Sequence, residues 1–127
     1  MTERAKIKKK LDAEFSLFIR RRDKFTCVTC GKVGYERDGE MQCGHLFSRI
    51  ALSTRWDEDN AFCQDRGCNF RHEMDWMPLE LYYREKRGDE AFDRLYRKYR
   101  TPKKYSNAEL NEMLEHYRKK NKEKRDA

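Results

Sequence analysis

Residues 27–45 read CVTCGKVGYERDGEMQCGH: a paired-cysteine turn, a polar loop, then a third cysteine and a histidine at the end of a short apolar run. Cys27 and Cys30 form C-x2-C, and Gly31 directly after them permits the tight turn that points two thiolates at one ion. Closing a tetrahedral cage takes a second pair. Cys63 and Cys68, separated by QDRG, are the natural candidates, with Gly67 giving their wider spacing the freedom to fold back. Four thiolates with no open position describe a structural Zn2+ site rather than a catalytic one. Cys43 has two readings: a ligand in place of Cys63, or a small buried residue on the strand that leads to His45.

Composition explains why a staple is wanted. The chain has 127 residues, 37% hydrophobic and 42% charged, which suits one domain with a modest core. Its start, MTERAKIKKK, is polar and lysine-rich, unlike a secretory signal. A reducing, cytoplasmic setting is therefore expected, and there cysteines serve metals more often than disulfides. No run approaches the roughly 18 apolar residues of a membrane span. Thirty Lys and Arg against 23 Asp and Glu give a formal charge of +7, an excess that attracts a polyanion, of which nucleic acid is the commonest.

Hydrophobic periodicity places the rest. Ile7, Leu11, Phe15, Phe18 and Ile19 form the stripe of an amphipathic helix from Ala5 to about Asp23, ending in three arginines that suit the helix dipole. Residues 26–68 hold all five cysteines and five of the six glycines, and read as a metal-organised segment. A short hairpin is expected from Met41–Leu46 and the stretch near Asn60–Phe62. A short helix over Phe70–Trp76 follows, then one opened by Pro78 and broken at Gly88, then Asp89–Tyr99, stopped by Pro102. Ser106 with Glu109 is a capping box for a last helix carrying Leu110, Met113, Leu114 and Tyr117. The expectation is a single mostly helical α+β domain: an N-terminal helix over 1–25, a zinc-bound core over 26–77, a helical part over 78–120, and a frayed tail over 121–127.

His45 closes one predicted strand, Asn60 begins the next, and Asn69 follows Cys68 at the start of a helix. That order is the pattern of the ββα-metal, or HNH, nuclease centre. The chemistry needs a neutral imidazole to take a proton from water, a group that fixes the histidine loop, and a ligand for a divalent ion that stabilises charge on a phosphate. His72, three residues after Asn69, shares its helical face and is a candidate second ligand or phosphate contact.

The chain resembles a known family. The motifs FIRRRD with CVTCG, MQCGHLFSR, RWDEDNAFC, GCNFRH, LYYREKRGDEAFDRLYRKYR and YSNAELNEMLEHYRKK are similar to those of the lambda NinG (Rap) recombination proteins. More distantly they resemble the endonuclease VII junction resolvases and other HNH nucleases with a four-cysteine zinc site. The likeness covers Leu17 to about Lys120. It implies a treble-clef-like ββα-metal fold and a structure-specific endonuclease that cuts branched DNA such as D-loops and Holliday junctions. By the same resemblance His45 matches the general base, Asn60 the central asparagine, and Asn69 the position that holds a catalytic Mg2+ or Mn2+. Two departures stand out. Gly44 occupies the place where many such sites carry an acidic ligand, leaving water, phosphate, Asp57, Asp59 or His72 to complete the shell, and Cys63 lies off the usual cysteine spacing.

Arg49, Arg55, Arg66 and Arg71 surround the expected centre and could fork onto phosphate oxygens, although some could instead pair with Asp57, Glu58, Asp59 or Asp65. Basic runs at 8–10, 20–22, 97–104 and 118–125 could follow the arms of a junction. Trp56 and Trp76 are expected to pack rather than to stack on bases. Symmetric cutting of a junction makes a homodimer attractive. The competing classes are a non-catalytic zinc module that binds nucleic acid, and a protein that binds or cuts RNA.

Overall fold

A computed structural model describes residues 1–126. The first helix, α1 (Glu3–Arg22), is capped by Thr2, whose hydroxyl accepts from the Ala5 N–H at 3.1 Å. Its apolar stripe is buried: Leu11 and Ile19 are 0% exposed and Phe15 1%. Lys24 and Phe25 turn left-handed, at φ 55° and 51°, and lead the chain out of α1 into the cysteine turn. Gly31, at φ +83°, closes that turn with its N–H on the Cys27 carbonyl at 2.9 Å.

The strands β1 (Met41–His45) and β2 (Ala61–Asp65) pair antiparallel, with Cys43 opposite Cys63 and His45 opposite Ala61. This is the expected hairpin, with the second strand set slightly later and a short helix, α2 (Leu52–Arg55), in the connection. Alternation along β2 sends Ala61 to an apolar cluster with α1 and Phe62 to a second cluster with Leu79, Tyr83 and Phe92. The following helix, α3 (Arg66–His72), packs across both strands and begins earlier than the predicted Phe70. The reason is Asp65, whose carboxylate accepts from the Cys68 N–H at 2.8 Å and caps the helix as soon as β2 ends.

Helices α4 (Met77–Arg87) and α5 (Asp89–Arg100) flank Gly88 at φ +89°, with Pro78 in the first turn of α4. The last helix, α6 (Asn107–Asp126), opens with the capping box: Glu109 N–H donates to Ser106 Oγ at 3.0 Å, and Ser106 N–H to Glu109 Oε1 at 2.9 Å. The tail expected to fray is instead helical through Asp126, while Ala127 lies outside the described residues. Its partner is α1. Asn121 Nδ2 donates to the Glu14 carbonyl at 2.9 Å, and Arg21 donates to the Asn121 carbonyl at 2.9 Å. Arginines 20–22, read as a basic run, are largely internal ties: Arg21 pairs with Glu36, and Arg22 donates to the Glu58 and Ala61 carbonyls. The molecule is a mostly helical α+β fold with one small sheet. Among the described residues no helix is long and apolar enough to cross a membrane.

Because Leu11 sits at the centre of the cluster joining α1, Trp56 and α6, Leu11→Ala is expected to cost about 2–5 kcal/mol. Urea unfolding followed by circular dichroism measures this; a loss below about 1 kcal/mol would contradict the packing.

Candidate functional site

Two groups of chemistry-bearing side chains lie on and around β1, β2 and α3. The first is a cluster of Cys27, Cys30, Asp65 and Cys68, whose ligand atoms all lie within 4.8 Å of one another and could hold a metal ion. Three of the four expected ligands are there, and Asp65 takes the place expected for Cys63. Strand geometry gives the reason. Asp65 ends β2 beside Cys68, whereas Cys63 lies two residues back, 0% exposed, in an apolar cluster with Cys27 and Met41. The signal was present as spacing: Asp65 and Cys68 repeat the two-residue gap of Cys27 and Cys30.

The donor set fits Zn2+, which accepts three thiolates and a carboxylate oxygen. Cys30 Sγ donates to Asp65 Oδ2 at 2.7 Å, and that hydrogen bond holds the Cys30 thiol well above its ordinary pKa. Burial pushes the Cys27 thiol up, but hydrogen bonds from Thr29 and nearby backbone outweigh it and bring it below the ordinary value. Zinc would displace the Cys30 proton, so its uptake should release acid. Cys43 lies outside this cluster and packs toward α1 instead.

The second group surrounds a cavity of about 390 Å3 lined by His45, Arg49, Asn69, His72, Glu73 and Trp76, among others. A second cavity, of about 420 Å3, runs along α1 and shares Cys43, His45 and Arg49 with it. His45 therefore lines both hollows. Its ring faces Phe15 at a centroid distance of 6.4 Å, and its Nε2 lies 2.8 Å from the Arg55 carbonyl. A carbonyl can only accept, so Nε2 carries the proton and Nδ1 keeps its lone pair. Desolvation, opposed by that hydrogen bond and aided by the Arg49 charge, holds the imidazole pKa below its usual 6.5. At neutral pH His45 is a neutral base.

Asn60 is fully buried and touches no cavity. Its Nδ2 donates to the Phe47 and Thr54 carbonyls at 2.9 and 3.0 Å, and its Oδ1 accepts from the Phe47 N–H at 2.8 Å. All its capacity goes into holding the loop that carries the Arg55 carbonyl to His45, so it is a positioning residue. Asn69 Nδ2 donates to Gln42 Oε1 at 2.8 Å, which turns its own Oδ1 toward Gly44. His72 donates from Nε2 to the Leu46 carbonyl at 3.0 Å, and its Nδ1 is buried with no partner.

The arginines divide. Arg66 and Arg71 are exposed on α3. Arg49 is half-exposed beside the cavity and pairs with Asp12 at 2.7 Å. Arg55 is not a free clamp: partly buried, it pairs with Asp12 at 2.5 Å, and Trp56 Nε1 donates to the same carboxylate at 2.9 Å. Asp57 pairs with Lys98 and Asp59 with Arg87, on a different face, so neither reaches the cavity. Trp56 is core, as expected, while Trp76 is 40% exposed and rests on His72 at a ring distance of 5.3 Å. Asp12, on α1, is the residue that sequence reasoning missed. Nothing near it in the chain marks it, because all its partners are more than thirty residues away.

The family model of the bacteriophage lambda NinG protein matches residues 1–126. The chain belongs to the NinG family. No curated protein and no solved structure gives a significant match. In this NinG-family chain CVTCG, MQCGHLFSR, RWDEDNAFC and GCNFRH fall on the cysteine turn, β1, β2, α3 and the loops between them, which build both groups, and the other motifs quoted fall on α1, α4, α5 and α6.

Two predictions follow from the geometry. Metal analysis of purified protein should find about one zinc per chain in Cys63→Ser and little in Asp65→Ala; the reverse would restore the four-cysteine cage. Burial raises the Asp12 pKa, but Arg55, Trp56 and Arg49 overcome it and hold the carboxyl below 3.8. Asp12→Asn should therefore lose about 1.5–3 kcal/mol at neutral pH. A depressed folded pKa gives stability that is present above the unfolded value and lost as pH falls through the folded one. The gap between wild type and variant should accordingly close only below pH 3.8; a gap unchanged down to pH 2 would contradict this.

Proposed function

We propose that this chain is a metal-dependent endonuclease of the HNH (ββα-metal) type that hydrolyses phosphodiester bonds in branched DNA, such as D-loops and Holliday junctions, during phage recombination in the host cytoplasm. The observation that carries the reading is His45: a partly buried, neutral imidazole oriented by the Arg55 carbonyl and lining one cavity with Asn69 and His72. A structural histidine has no need of an unpartnered ring nitrogen at a polar hollow.

In this reading His45 Nδ1 takes the proton of a water aligned against phosphorus, and Nε2–H stays on the Arg55 carbonyl, which stabilises the imidazolium as it forms. Asn60 keeps that carbonyl in place. Asn69 and His72 would hold one Mg2+ or Mn2+, which when bound supplies charge stabilisation to the phosphate and the leaving 3′ oxygen. Arg49, at the cavity wall, would exchange its Asp12 partner for a phosphate of the scissile strand. Arg66, Arg71 and the lysines of α1 and α6 add contacts of charge and shape, which suits substrates chosen by structure rather than by base sequence. Two chains acting on opposite strands would cut a junction symmetrically, so a homodimer on the DNA is part of the proposal.

The test is cleavage of labelled four-way junction, linear duplex and RNA hairpin with Mg2+, Mn2+ or EDTA. Metal-dependent nicking of the junction is expected. His45→Ala should abolish it while zinc content and junction binding are kept. The wild-type rate should rise with pH through a value below 6.5 and then level off, since only neutral His45 is active. Binding without cleavage under every condition would favour the non-catalytic zinc module, and full activity in His45→Ala would remove that residue from the chemistry.

A further inference from the structure

The centre described above lacks the acidic ligand that commonly precedes the histidine, because residue 44 is glycine. The space beside that glycine is not empty. A Cβ added to Gly44 would run into Gln64 Oε1 and come within 3.0 Å of Asn69 Oδ1. Gln64 reaches this point from the neighbouring strand, where it pairs with Gln42, two residues before Gly44 on the same face of β1. Its side chain is 1% exposed, and its Oε1 has no hydrogen-bond partner. Its amide nitrogen is directed the other way, 3.4 Å from the Thr29 hydroxyl.

An unpartnered amide oxygen buried at this depth costs about 1–3 kcal/mol unless something completes it. A second lone pair lies beside the same point, and a third is carried by the same helix. Asn69 Oδ1 is left over when its nitrogen donates to Gln42, and His72 Nδ1 is buried and unpartnered with its opposite nitrogen fixed on the Leu46 carbonyl. A histidine whose far N–H is held by a carbonyl is a standard arrangement for a metal ligand. Asn69 and His72 lie three apart on one face of α3. Two oxygens and one imidazole nitrogen, all neutral and all lacking donors, suit a divalent cation and no anion.

We infer that Gln64 is a third ligand of the catalytic divalent ion, its side-chain oxygen standing in from β2 for the carboxylate that Gly44 cannot supply. Gly44 is then required for room rather than for backbone freedom. The ligand set Gln64, Asn69 and His72 carries no net charge, so the ion keeps its full positive charge toward a phosphate and is held weakly until DNA adds its own oxygens. This rests on reading the cavity as a phosphodiester-hydrolysing centre, but ion binding can be measured apart from cleavage.

The experiment is Mn2+ titration of the zinc-loaded full chain, read as free Mn2+ by electron paramagnetic resonance, on wild type, Gln64→Ala, Gln64→Glu and Asn69→Asp. Zinc content and melting temperature serve as controls for folding. Wild type should bind one Mn2+ beyond its zinc. Gln64→Glu and Asn69→Asp should bind it about tenfold tighter through the added charge, and Gln64→Ala about 10–100-fold more weakly. An amide turned end for end, donating to Asn69 Oδ1, would leave Mn2+ affinity in Gln64→Glu equal to wild type and would overturn the inference. So would junction cleavage by Gln64→Ala at the wild-type Mn2+ requirement, which leaves the nuclease reading intact. Gln64-dependent Mn2+ binding with no cleavage of any nucleic acid would support the ligand assignment and remove the nuclease reading.

Discussion

The Asp65 carboxylate joins the end of the second strand, the helix that follows it and the cysteine turn. One oxygen accepts the Cys68 N–H and starts α3; the other meets Cys30, at the far side of the cysteine turn. The residue itself closes β2 and pairs with Met41 at the start of β1. Strand, helix and knuckle are thus referred to one side chain. Moving the start of α3 by one residue would rotate Asn69 and His72 by about 100° around the helix. The Asp65 cap therefore sets the direction of the side chains across the cavity, although it takes no part in what they do there.

The other half of the centre is fixed without metal. Asp12 on α1 holds Arg55 and Trp56, the Arg55 carbonyl holds His45, and Asn60 holds the loop that contains them. All of these ties are hydrogen bonds between partly or wholly buried groups, where an unmade bond is costly. A rigid imidazole with its proton placed on one nitrogen is the result. The two halves meet at the shared cavity, and Arg49 spans its rim.

Much of this was legible because some patterns are local. C-x2-C followed by Gly31, the Ser106 and Glu109 box, and the stripe of α1 each depend on residues within a turn or two of one another, and each holds as read. The failures share a different cause. Cys63 is drawn into the cage when thiols are counted, whereas the spacing of Asp65 and Cys68 carries the information and a carboxylate can stand for a thiolate. The tail over 121–126 looks partnerless until α1 presents Glu14 beside Asn121. The arginines at 20–22 look like a nucleic-acid face until Glu36 and the Glu58 and Ala61 carbonyls are in reach. Gln64 could not be picked out at all, because its position matters only through a side chain that Gly44 does not have.

The central claim is that one short β-β-α unit carries two distinct metal centres, a closed one that shapes it and an open one beside His45. Anomalous diffraction from crystals grown with zinc and soaked in Mn2+, recorded at both absorption edges, tests it directly. The account predicts a zinc peak enclosed by Cys27, Cys30, Asp65 and Cys68, and a separate manganese peak among Gln64, Asn69 and His72. A zinc ion bound through Cys63 with Asp65 turned away, or manganese absent from the His45 cavity, would contradict it.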